Sequence, residues 1–74
     1  MGDAAMRVPG PRGLPLGQDY YRLQWRTAAM PASAFEYFHS IREALARRDA
    51  LRADGASADV YRSNRAAGLD ELVP

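Results

Sequence analysis

Between Tyr21 and Thr27 large apolar and polar side chains alternate without a break, with Tyr21, Leu23 and Trp25 on one parity and Arg22, Gln24 and Arg26 on the other. A period of two predicts a strand with one buried and one solvated face. The pattern stops at Ala28-Ala29-Met30-Pro31-Ala32-Ser33. Pro31 removes a backbone donor and turns Met30 away from the α region, so a turn is expected there. The next run, Ala34-Phe35-Glu36-Tyr37-Phe38-His39, suits either a second strand or the first turns of a long helix. Ser40-Ile41-Arg42-Glu43 tips the choice towards a strand, because it has the form of a capping box whose Ser hydroxyl accepts from the Glu amide. A helix that begins at Ser40 leaves 34–39 free to pair.

From Ile41 the apolar spacing is helical. Ile41, Ala44, Leu45 and Leu51 fall on one side, and Arg42, Glu43, Arg47, Asp49 and Arg52 take the other. Glu43 and Arg47 stand four apart in the favourable order for a helical ion pair. Asp54-Gly55 supplies the stop, since glycine accepts the left-handed conformation that ends a helix. Ser57-Ala58-Asp59-Val60-Tyr61-Arg62 then reads as a third strand, and Leu69, Leu72 and Val73 as a short helical turn on the edge of the body.

The expected fold is therefore α+β, a small ββαβ body made of a hairpin, a helix and a third strand. Its expected core is Tyr21, Leu23, Trp25, Phe35, Tyr37, Ile41, Leu45, Leu51 and Val60. The alternative is an all-α helical hairpin with helices at 19–30 and 32–53, which requires the period-two stretch to coil.

Composition divides the chain in two. Residues 1–18 carry Pro9, Pro11 and Pro15 with Gly2, Gly10, Gly13 and Gly17, too few apolar side chains to offset the entropy of ordering, and read as a flexible tail. Residues 19–74 form the single small domain. At that size one apolar core is marginal without disulfides, metal or oligomerisation. With no cysteine in the sequence there is no disulfide framework, thiolate nucleophile or zinc ribbon. No apolar run approaches the ~20 residues that span a bilayer, and the N-terminus lacks the apolar stretch of a secretory signal. Met6 stands where an acylation signal wants Ser or Thr. A cytoplasmic protein without membrane contact is expected.

All ten basic residues are arginine, which together with abundant alanine is what a GC-rich coding sequence produces. Setting aside Arg7, Arg12 and Asp3, the body holds eight arginines against eight acids. A strong non-specific nucleic-acid binder normally shows a clear positive excess.

Candidate chemistry is sparse. His39 is the only histidine, and it has no aligned nucleophile or orienting carboxylate beside it, as acid–base work requires. Glu36-x-x-His39 matches the carboxylate–imidazole spacing of di-iron bundles, yet the facing segment 19–30 offers only Asp19 as a further ligand. Neither a metal nor another cofactor is expected. Arg47-Arg48 and Arg52 interleave with Glu43, Asp49 and Asp54, the composition of a solvated helix face. Gly10-Pro11-Arg12-Gly13 lacks the strand, lysine and helix that make a phosphate loop work.

More informative is the sheet face opposite the helix. Strand alternation assigns to it Arg22, Gln24 and Arg26, then Glu36 and Phe38, then Asp59 and Tyr61. Aromatic and arginine side chains are the usual anchors of protein interfaces, and the same mixture can stack bases while holding phosphates. The expected binding residues are Arg22, Arg26, Phe38 and Tyr61. The expected function is a non-enzymatic accessory module that docks on a partner protein or self-associates into a homo-oligomer. A nucleic-acid-binding domain using the same residues is the alternative.

The strand–helix–strand run resembles half of a peptidoglycan-binding SPOR repeat. The hairpin followed by a helix opening on Ile41-Arg42-Glu43-Ala44 also resembles the arm-binding domains of phage-type integrases, which implies DNA reading by the sheet. Those domains are clearly basic, whereas this body is not. Both resemblances are likenesses of fold and carry little for function.

Overall fold

The alternating stretch forms β1 (Tyr20–Arg26) in a computed structural model that describes residues 17–74. Of the expected flexible tail, residues 1–16 lie outside the described residues. A tight reversal follows β1, in which Thr27 and Met30 exchange backbone hydrogen bonds of 3.1 and 3.2 Å. The Thr27 hydroxyl accepts a further bond from the Met30 amide at 2.9 Å. Pro31 then leads the chain back into β2 (Ala34–Phe38), so the ambiguous segment is a strand and the helical-hairpin alternative is not supported.

The helix α1 (Ile41–Ala53) starts where the capping residues place it. Ser40 is the extended N-cap and its hydroxyl accepts from the Glu43 amide at 3.3 Å. At the other end Gly55 takes a positive φ of 94°. The Gly55 amide donates to Arg52 O and the Ala56 amide to Leu51 O, both at 3.0 Å. This crossed pair is the Schellman closure, and Ala56 packs against the core beside Leu51 as that motif requires. Ser40→Ala is expected to lower stability by about 0.5–2 kcal/mol in a urea titration, because one orphan amide of the first turn loses its acceptor. No loss, or a gain, would show that this cap does not matter.

After the turn come β3 (Ser57–Asn64) and β4 (Leu69–Leu72). The strands form one antiparallel sheet in the order β2-β1-β3-β4, with α1 across one face. The fourth strand corrects the expected helical turn at Leu69, Leu72 and Val73. The i, i+3 spacing of the two leucines imitates a helix, but Gly68, at φ 67°, reverses the chain so that Leu69–Leu72 pairs with Tyr61–Asn64. Pairing available only in the fold overrides the local pattern. Beyond β4, the Val73 amide still reaches Val60 O at 2.8 Å.

Between sheet and helix lie Leu23, Phe38, Ala44, Leu51, Ala58 and Val60, with Tyr21, Trp25, Leu45, Ala56 and Val73 around them. Three expected core residues are elsewhere. Ile41, at the first turn of α1, is 42% exposed. Phe35 and Tyr37 face away from the helix, because the register pairs Tyr21 with Phe38 and Leu23 with Glu36. The whole of β2 is thus turned over relative to expectation, since an error of one residue in parity moves every side chain to the other face.

That parity buries a carboxylate. Glu36 is only 5% exposed, which is tolerable because it is richly bonded. Its Oε2 accepts from Trp25 Nε1 at 3.1 Å, and Arg47 spans both its oxygens through Nε at 3.1 Å and a terminal nitrogen at 3.2 Å. The hydrogen bond to Glu36 raises Arg47 above the ordinary arginine value, against a smaller opposing effect of burial. Arg47, expected to pair with Glu43 along the helix, directs its guanidinium to the sheet instead.

Candidate interaction face

The strand registers assemble side chains from all four strands on the face that α1 leaves uncovered. One row runs Tyr37, Arg22, Tyr61, Leu72 from edge to edge. Beside it Phe35, Gln24 and Asp59 form a second row, and Tyr20, Ser63 and Asp70 a third. Arg26 ends the face opposite Ser57. Phe35 and Leu72 are half exposed or more, at 50% and 57%.

Arg22 is the centre of this surface. Its guanidinium carbon lies 4.5 Å from the centroid of the Tyr61 ring, well within range of a cation–π contact. One terminal nitrogen reaches Asp70 at a long 3.4 Å. Its Nε is buried without a hydrogen-bond partner, although buried donors are nearly always satisfied. To one side the Tyr20 and Tyr37 rings are tilted against each other at 6.1 Å. To the other, Ser63 donates to Asp70 at 2.6 Å, which fixes that carboxylate near Arg22.

Three of the expected binding residues, Arg22, Arg26 and Tyr61, share this face. Phe38 does not. It is 5% exposed in the core, and Phe35 and Tyr37 supply the aromatic surface expected of it. The sequence Ala34-Phe35-Glu36-Tyr37-Phe38 offers an apolar side chain on either parity, so alternation cannot orient it. The signal that could have done so is long-range, namely that inward Glu36 finds both Trp25 and Arg47.

The face is electrically balanced. Arg22 is matched by Asp70, and Asp59 is held by Arg52 at 3.2 Å. Three of the four arginines of α1 likewise have partners: Arg47 on Glu36, Arg48 on Asp49 and Pro74 O, and Arg52 on Ala58 O as well as Asp59. They are a bonded helix surface rather than a free basic patch. His39 is exposed past the end of β2, and Glu36 is engaged inside. Among the described residues, no group of three or more His, Cys, Asp or Glu side chains is placed to hold a metal ion. Among the same residues no helix is long and apolar enough to cross a membrane.

No protein-family model, curated protein or solved structure matches this chain.

Proposed function

We propose that this chain is a non-enzymatic, cytoplasmic interaction module that docks on a partner protein or on a second copy of itself through the open sheet face. The observation that carries the reading is the row Tyr37–Arg22–Tyr61–Leu72, continuous across all four strands on the side away from the helix. Tyrosine and arginine offer large contact area, and they are the residues in which interface energy concentrates. A body with so small a core gains most from covering such a surface. The long contact of Arg22 to Asp70 leaves its terminal nitrogens hydrogen-bonding capacity for an acceptor on the partner. Balanced charge on the face favours a protein over a polyanion.

The test uses the full chain. Sedimentation equilibrium should detect self-association, and immobilised protein should capture a partner. Phe35→Ser/Tyr61→Ser and Arg22→Ala/Arg26→Ala should each keep the native circular dichroism spectrum. Each should weaken assembly or capture about thirtyfold or more, the equivalent of about 2 kcal/mol. Two variants that assemble and capture like the parent would dismiss the face. Binding that collapses steeply with added salt would instead mark nucleic acid as the ligand.

A further inference from the structure

The side chains of two arginines, Arg26 and Arg42, make no hydrogen bond or ion pair with any described residue. Their surroundings differ. Arg42 stands on the exposed side of α1, whereas Arg26 lines a hollow of about 410 Å³ at the end of the sheet, shared with Thr27, Ala28, Pro31, Gly55 and Ser57. Its walls are the β1–β2 reversal and the Schellman turn after α1. We infer that this hollow is a binding site for a compact oxyanion, a phosphate or carboxylate group, received by the Arg26 guanidinium.

Three side-chain donors line the hollow or border it, and several of the nearby acceptors are engaged elsewhere. Arg26 brings a planar fork of N–H groups suited to oxyanions. The Thr27 hydroxyl already accepts from the Met30 amide at 2.9 Å, so its own proton is left to donate. Ser57, the cross-strand neighbour of Arg26, adds a second hydroxyl. Of the last carbonyls of α1, which would repel an anion if they faced the site, Leu51 O and Arg52 O are taken by the Ala56 and Gly55 amides. Asp59 lines a smaller adjoining hollow of about 140 Å³ with Gln24, Trp25, Arg26, Ser33 and Ser57, and Arg52 holds its carboxylate. Asp54, beside the turn, is exposed, so solvent and salt screen its opposition to an anion at Gly55. Gly55 keeps its wall open, since a Cβ there would meet nothing within 4 Å. This site does not depend on the docking reading, because a small anion can enter it without the aromatic face.

The experiment is a titration of the full, isotopically labelled chain with inorganic phosphate and, separately, with acetate. Amide and arginine side-chain resonances are followed at constant ionic strength. Saturable shifts at Arg26, Thr27, Gly55 and Ser57 are expected with at least one anion, and which anion saturates identifies the group. Arg26→Gln should weaken binding tenfold or more and Ser57→Ala severalfold, while Arg42→Gln leaves it unchanged. Phe35→Ser/Tyr61→Ser should also leave it unchanged, which separates this site from the docking face. Linear shifts with both anions, or equal binding by Arg26→Gln, would overturn the inference.

Discussion

Phe38→Ala is expected to cost about 3–5 kcal/mol of unfolding free energy, the range for emptying a large aromatic site in a packed core. Phe35→Ala, three residues earlier on the same strand, is expected to cost less than about 1 kcal/mol, as exposed positions do. The contrast follows from register. Phe38 is opposite Tyr21 and packs with Leu23, Ala44 and Leu51, whereas Phe35 is 50% exposed on the other face. Urea titrations of both variants, read by circular dichroism, measure the two costs side by side. Equal costs, or a larger one for Phe35, would mean that β2 is turned over in solution.

The second large effect belongs to the buried carboxylate. Arg47→Met removes both guanidinium bonds from Glu36 and leaves its charge under the helix. A loss of about 1–3 kcal/mol is expected, the range for a hydrogen bond to a charged group. It falls below that of a fully buried pair because the Arg47 side chain is 43% exposed and water screens part of the interaction. Adding Glu36→Leu to Arg47→Met should restore some of the loss, since an apolar pair need not be desolvated as ions. The restoration should be incomplete, because Trp25 Nε1 then loses its acceptor. Thermal and urea unfolding of the single and double variants decide it. A double variant less stable than Arg47→Met would show that the carboxylate stabilises through contacts other than the guanidinium.

What could be read from the sequence follows from the range of each interaction. Tyr21 to Thr27 announces its strand because alternation is written into consecutive residues. Ser40 with Glu43, and Asp54 with Gly55, announce both ends of the helix because caps act across three or four residues. Arg22, Arg26 and Tyr61 are placed on the open face by the same alternation. Phe38 is misplaced because β2 is apolar on both parities, and the partners that orient it, Trp25 and Arg47, are each eleven residues from Glu36. The fourth strand is hidden for a similar reason. Leu69-Asp70-Glu71-Leu72 has no strand periodicity of its own and is extended only because Tyr61–Asn64 is there to pair with it.

The inward charge on β2 bears on how two such chains can meet. An edge strand offers unpaired backbone groups to any other strand, and short length and inward-pointing charges are among the devices that blunt this hazard. β2 is five residues long and carries Glu36 pointing inward, while β4 is four residues long and carries Asp70 and Glu71. Lateral addition at β2 would have to accommodate buried carboxylates near the seam, and addition at β4 would set acidic side chains against each other. The sheet is thus guarded against growing sideways into a fibre, and its aromatic surface is left to be approached from above, layer against layer.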